Sequence, residues 1–171
     1  TGVQTCALPI SVETLTGDNS AYGLSIRKGL ELALAEINGG SLLGSAKIRL
    51  IFKDDKADKQ EGISVFTGLI NDDKVSAIIG PTLSSTAFAA DPVAQKAGVP
   101  VLGTSNTATG ITAMGNFIFR DSLLQSGVVP GTLAAAAAKF HPQKAALLFE
   151  STNEFSKSEA DVFKAALQKL G

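Results

Sequence analysis

The 171-residue sequence contains no tryptophan and only one tyrosine, one histidine, one methionine and one cysteine. A lone histidine, without a second His or a Cys beside it, makes neither a zinc site nor a Ser-His-Asp triad. His141 ends a predicted helix just before Pro142, where its expected part is to meet the helix dipole. No apolar run approaches a bilayer span, and no n-region and h-region of a signal peptide open the chain. An excess of charge of one sign is missing too. The 15 Lys and Arg against 16 Asp and Glu leave a formal charge of −1. Without a basic stripe, neither nucleic acid nor an anionic membrane surface is an expected partner. Cofactor loops are absent as well: Gly40-x-x-x-Gly44 lacks the Lys-Ser/Thr of a P-loop, and no G-x-G-x-x-G follows a strand. There is no G-x-S-x-G elbow. The sequence therefore predicts no catalytic residue, no metal and no cofactor.

Residues 1–10, TGVQTCALPI, follow neither the strand nor the helix pattern of the rest. Reverse-translated as ACT GGA GTT CAG ACG TGT GCT CTT CCG ATC, they spell a widely used sequencing-library adapter. They are expected to be an assembly artefact, with the authentic sequence starting near Ser11. Cys6 then falls inside the artefact and carries no information on redox compartment.

What is present is a packed-core composition, 44% apolar, with alternating strand and helix patterns. The segment 20–38 places Ile26, Leu30, Ala33, Leu34 and Ile37 on one helical face, and Gly39-Gly40 stops it. Gly29 inside that helix is expected to pack closely on a sheet. KIRLIF, residues 47–52, reads as a strand, as do VSAII at 75–79, the segment at 100–103, NFIFR at 116–120 and KAALLFE at 144–150. Helices are predicted around 58–72, over Ser84–Ala97, around the alanine run 134–138 and over 155–171. Asp91-Pro92 is expected to start a second segment, with Asp91 as its cap, or to kink a continuous helix. With Lys53, Lys56 and Lys59 interleaved, Asp54, Asp55 and Asp58 read as a solvated strand end rather than a calcium loop. Strands alternating with helices of this length predict an α/β fold, a parallel doubly wound sheet.

Ligands of open parallel sheets bind beyond the carboxyl ends of the strands. Three segments reach that edge: LTGDNSAYG, GPTLSST and GTSNTAT, all rich in hydroxyls and glycine and poor in charge. Ser84 and Ser85 open their helix, so their N–H groups and the helix dipole suit an anionic group such as a carboxylate. Capping alone would need one hydroxyl, whereas Ser84-Ser85-Thr86 supplies three.

These segments, with KDDKADKQEG, AIIGPTLSSTAFAADPVAQKAGVPVLGTSNTAT and FIFRDS, resemble in order the first lobe of type I periplasmic solute-binding proteins. The likeness is greatest to receptors for leucine, isoleucine and valine, and it runs from about Thr14 to Gly171. It implies two α/β lobes on a hinge, closing on an amino acid and presenting it to an ABC permease, in a protein that is monomeric at full length and periplasmic or otherwise extracytoplasmic. Residues 11–121 would be the first part of lobe one and 122–171 the start of lobe two, the remainder being absent. By the same resemblance, Ser84 would bind the ligand carboxylate by hydroxyl and N–H, with Ser85 beside it. Ser105 would offer its carbonyl to the ammonium group, and Thr107 its hydroxyl to the ammonium and its N–H to the carboxylate. Tyr22 and Phe155 would cover the ligand.

The sequence departs from the family where Phe155 replaces a common Tyr, and where Gln125 stands in place of a frequent Asp. A disulfide that some members carry is missing, because its positions match Ala57 and Leu83. The first strand overlaps the adapter-like residues, and Pro9 cannot donate a ladder bond, so Ala7–Glu13 is expected to form that strand poorly. A ligand-sensing domain of a regulator or signalling receptor shares this fold and is the alternative reading. An enzyme on such a sheet finds no nucleophile–base pair here.

Overall fold

The computed structural model describes residues 9–170. Residues 1–8, with Cys6 and Ala7, and Gly171 lie outside the described residues. Five parallel strands form one sheet: β1 (Pro9–Glu13), β2 (Ile51–Asp54), β3 (Ala77–Ile79), β4 (Val101–Gly103) and β5 (Ile118–Arg120). Their order is β2-β1-β3-β4-β5. Helices α1 (Ser20–Gly39), α2 (Lys59–Asn71) and α3 (Ser84–Ala97) connect the first four strands, and a 3-10 turn (Ile111–Met114) precedes β5. Helices α4 (Gln125–Phe140) and α5 (Glu154–Leu170) follow the sheet.

Register explains the layers. Ile10 stands beside Ile51 and Ile78, Ile78 beside Val101, and Val101 beside Ile118, so one apolar row crosses the sheet. That row packs with Phe66 and Leu69 of α2 and with Ala87, Ala90 and Ala94 of α3 in a single core. Each fully buried Ile, Leu or Phe there contributes roughly 1.5–3 kcal/mol. The alternate row, Ser11, Phe52, Ile79, Leu102 and Phe119, faces the other way, because side chains alternate along a strand. Arg27 of α1 lies 4.9 Å over the Phe52 ring, which places α1 on this second face. Helices therefore cover both faces, as a doubly wound sheet requires. Toward β4 and β5 the second face is open: Leu102 is 41% and Phe119 52% exposed.

Several elements differ from expectation for identifiable reasons. Over Pro9–Glu13, β1 is an inner strand of the sheet, paired with both β2 and β3. Pro9 stands at its first position, where a missing N–H is tolerated. β2 starts at Ile51 rather than at residue 47, because the Asn38 side chain takes both backbone groups of Ile48 (2.7 and 2.9 Å). Gly29 is exposed and nothing lies near it. Gly23 is the packing glycine, since a Cβ there would stand 2.0 Å from the Thr14 carbonyl oxygen. Helix α3 runs unbroken through Pro92, and Asp91 caps nothing: it is fully buried with neither carboxylate oxygen bonded among the described residues. KAALLFE has no ladder partner among the described residues, and Leu148 is 95% exposed. His141 closes α4 in a left-handed conformation, φ 47°.

The strand order places β1 between β2 and β3: the chain steps from β1 to β2 on one side, then crosses back to β3 on the other. A crevice opens at such a point, outside the carboxyl ends of the strands. Gly80 shapes the exit from β3 with φ 113°, and a Cβ there would meet the Val12 carbonyl oxygen at 2.0 Å. Asp58 caps α2, its side chain accepting from the Glu61 N–H at 2.8 Å.

Candidate ligand site

Helix α3 begins at Ser84, with Leu83 in the cap position and extended (φ −99°, ψ 143°). The hydroxyl residues 84–86 are thus the first turn rather than the cap. Their N–H groups have no carbonyl four residues back within the helix, and they carry the positive end of its dipole. The first helical bond of this turn runs from the Ala87 N–H to the Leu83 carbonyl at 3.0 Å.

The loop after β4 is fastened to this turn. The Ala108 N–H donates to the Ser84 Oγ at 3.2 Å, the Ser105 Oγ donates to the Thr82 carbonyl at 2.8 Å, and the Asn106 side-chain amide donates to the Pro81 carbonyl at 2.9 Å. Arg120, at the end of β5, donates to the Ala108 carbonyl at 2.9 Å and holds the same loop from its far side. The two hydroxyl loops therefore form one wall.

Beside that wall lies a cavity of about 190 Å³. Five of the six residues expected to bind ligand line it: Tyr22, Ser84, Ser85, Ser105 and Phe155. Thr107 does not. It is half-buried between the tethered Asn106 and Ala108, outside the lining. Tyr22 comes from the first turn of α1 and Phe155 from the first turn of α5, and both are largely solvent-exposed, at 63% and 40%. Sequence reasoning missed Asn19, Thr82, Leu83 and Asn153, which complete the lining. Asn19, Thr82 and Leu83 lay within segments already singled out, so only their direction was invisible. Among the described residues, no charged side chain lines the cavity. Its polar groups are hydroxyls, amides and the helix N-terminus, a set able to hold an anionic or zwitterionic group without burying a protein charge. The volume is below the roughly 300–1,000 Å³ usual for drug-sized ligands, which suits a small one.

Of the three aspartates expected to be solvated, Asp58 is exposed and Asp54 half-buried, and Asp55 is the correction. Asp55 is fully buried, accepting from the Thr14 hydroxyl at 2.6 Å and the Ala57 N–H at 3.1 Å, and burial raises its pKa. Asp54 accepts from the Thr16 hydroxyl at 2.6 Å and the Leu15 N–H at 2.8 Å. Their positions at the end of β2 turn both toward the loop after β1, and Asp55 is withdrawn from water there. Next to them stands Glu13, the last residue of β1, also fully buried. Its carboxylate accepts from three hydroxyls: Ser11 at 3.0 Å, Thr82 at 2.6 Å and Thr104 at 3.1 Å. Among the described residues no group of three or more His, Cys, Asp or Glu is arranged to hold a metal ion. No described helix is long and apolar enough to cross a membrane.

A parallel sheet with a neutral, donor-lined crevice at its switch point is the architecture of a small-ligand binding module. The chain belongs to the periplasmic binding protein family, whose model matches residues 11–171. It is similar to Leu/Ile/Val-binding protein homolog 2 of Brucella abortus, with 31% identity over 162 residues, covering 92% of this chain and 42% of that protein. Among solved structures it resembles the branched-chain amino acid transporter substrate binding protein LivJ of Streptococcus pneumoniae in complex with isoleucine. There the TM-score is 0.86 and the identity 29%, over 95% of this chain and 47% of that one. A solute binding protein of an ABC transporter from Rhodopseudomonas palustris, in complex with 3,4-dihydroxy benzoic acid, is also similar. It has TM-score 0.84 and 25% identity, covering 95% of this chain and 44% of that one. The chain thus spans less than half the length of these relatives.

Proposed function

We propose that this chain is the N-terminal part of an extracytoplasmic substrate-binding receptor of an ABC importer, taking an amino acid with a branched or related side chain. The observation that carries this reading is the cavity at the first turn of α3, lined by Ser84, Ser85 and Ser105 with no charged residue beside them among the described residues. In this reading the α-carboxylate sits on the N-terminus of α3, bonded by the Ser84 hydroxyl and N–H. The ammonium group meets the 105–107 loop, and Tyr22 and Phe155 cover the side chain from opposite sides. Thr107 joins the site only if its loop turns inward as ligand binds. Residues 11–121 belong to the first lobe and 122–171 open the second, and a hinge closes the two on the ligand. The receptor is a monomer, performs no catalysis and delivers its ligand to a membrane permease.

The test is calorimetric titration of the complete gene product with L-leucine, L-isoleucine, L-valine and 3,4-dihydroxybenzoate. Saturable binding of at least one of the amino acids is expected. Binding of the benzoate alone would move the ligand class to aromatic acids, and no binding of any would overturn the receptor reading.

A further inference from the structure

Beneath the cavity, rather than in it, lies a second polar arrangement. Three segments meet over the end of β1: the start of the loop after β1, the turn after β3 and the turn after β4. One carboxylate joins them. The Glu13 Oε2 accepts from both the Thr82 and Thr104 hydroxyls, and the Oε1 accepts from Ser11. The Thr82 Oγ is used twice, donating to Glu13 and accepting from the Thr14 N–H at 3.0 Å. Thr82 also lines the cavity, and its carbonyl receives the Ser105 hydroxyl. A continuous bonded path therefore runs from Glu13 through Thr82 to Ser105.

We infer that Glu13 is the positioning residue of this cleft: its ionised carboxylate orients the Thr82 and Thr104 hydroxyls and holds the two loops in register, so that proton uptake at Glu13 loosens the wall on which ligand rests. The inference deepens the receptor reading and rests on it for the ligand class alone.

The chemistry is a matter of counting protons. An ionised carboxylate only accepts, and three hydroxyl donors satisfy it. A protonated one must donate: a proton on Oε1 displaces only Ser11, whereas a proton on Oε2, the oxygen shared by Thr82 and Thr104, forces one of these two hydroxyls to turn away and find another acceptor. For Thr82 that is costly, because its oxygen already accepts from Thr14 and no other partner engages it. Burial pushes the Glu13 carboxyl up to about 7, even though the three hydroxyl bonds oppose the rise and Asp55 adds only a small further push.

The charged surroundings do not screen this group. From β2, Asp55 is the facing acid, and it is bonded to Thr14. Asp54 is turned to Thr16 and the backbone of residues 15 and 16. From α1, Arg27 is committed to Glu31 and the Phe52 ring. From β5, Arg120 is committed to the loop carbonyls. The turns after β3 and β4 bring hydroxyls only, and no ion pair among the described residues reaches Glu13.

The experiment has two arms on the complete gene product. In the first, backbone amide shifts of Thr82 and Thr104 are followed by NMR without ligand from about pH 5.5 to 8.5. Both are expected to titrate together with the Glu13 carboxyl carbon. In the second, L-leucine and L-isoleucine are titrated over the same range, in which a free amino acid keeps its zwitterionic charge. Affinity is expected to fall about threefold or more as pH drops from 8 to 6, and Glu13→Gln is expected to flatten that profile at the weaker level. Flat Thr82 and Thr104 amides in the wild type would overturn the inference even if Glu13→Gln failed to fold. So would titrating amides beside a pH-independent affinity. Titrating amides with no amino-acid binding at any pH would support the positioning role and sink the amino-acid reading instead.

Discussion

The Ser84 hydroxyl oxygen accepts the Ala108 N–H at 3.2 Å, so one side chain closes the gap between the α3 turn and the loop after β4. This bond uses a lone pair of Ser84 and leaves its O–H free to donate. The same hydroxyl can therefore fasten the wall and face a ligand carboxylate. Ser84→Ala removes both bonds and is expected to weaken amino-acid binding by roughly 1–3 kcal/mol, the cost of leaving a polar or charged group unpaired. Thr107→Ala, at a position outside the cavity lining, is expected to cost less than Ser84→Ala. Calorimetry on the two variants checks the order, and an equal loss would place Thr107 in the site.

Asp91 stands in the opposite electrostatic position. Burial alone pushes its carboxyl up to about 8, and no donor compensates. In the unfolded chain an aspartate ionises near 4, so between about 4 and 8 unfolding releases a proton. The native state binds more protons than the unfolded one there, and stability falls as pH rises through that window. Asp91→Asn removes the penalty, with an expected gain of roughly 1–4 kcal/mol at pH 7 and little at pH 4. Thermal melts at pH 5 and pH 8 measure it, and a Tm gain independent of pH would contradict this account.

How far the fold was legible follows from which forces are local. The apolar rows and helix faces are local patterns, and they gave the parallel doubly wound sheet and the edge on which the hydroxyl loops stand. The ladder of a strand is not local. KIRLIF alternates well, but the Asn38 amide captures Ile48 and delays β2. KAALLFE has strand composition and no neighbour among the described residues. Burial of charge is equally non-local: nothing in SVETLTG distinguishes Glu13 from a surface acid until Thr82 and Thr104 arrive from 69 and 91 residues away. The one available signal was an acid closing a strand that runs straight into the hydroxyl-rich segment LTGDNSAYG. The serines of the cavity were legible because a helix start and a strand end meet wherever this topology forms.

Two glycines of α1 provide a matched pair. Gly23 of α1 lies against the Thr14 backbone, whereas Gly29 is exposed with nothing near it. Gly29→Ala is expected to stabilise the protein by up to about 1 kcal/mol, the helix-propensity difference. Gly23→Ala is expected to destabilise it by about 1–3 kcal/mol or more, because the new methyl meets backbone rather than a flexible side chain. Chemical denaturation of the two variants should move in opposite directions, and a stabilising Gly23→Ala would mean that α1 is not held where it is seen.

The last pair crosses from the sheet-bearing part of the chain to its final helix. Lys59, the first residue of α2, and Glu154, the first of α5, are 2.8 Å apart, and nearby the Thr109 N–H donates to the Ser158 hydroxyl at 2.9 Å. The Lys59 bond outweighs desolvation and holds the Glu154 carboxyl below its usual range. Both side chains remain partly exposed, so solvent screens the attraction, and pairs of this kind contribute roughly 0.2–1 kcal/mol. If the two segments belong to opposite lobes, that small energy appears only in the closed form and hence in ligand affinity. A double-mutant cycle with Lys59→Ala and Glu154→Ala should give a coupling of about 0.5 kcal/mol in leucine binding at low salt, fading near 0.5 M salt where the screening length is only a few ångströms. The charge-exchanged protein, Lys59→Glu with Glu154→Lys, should recover part of the loss, because the pair acts through attraction between the two helix starts. A cycle with no coupling at low salt would mean that these two residues do not meet in the ligand-bound protein.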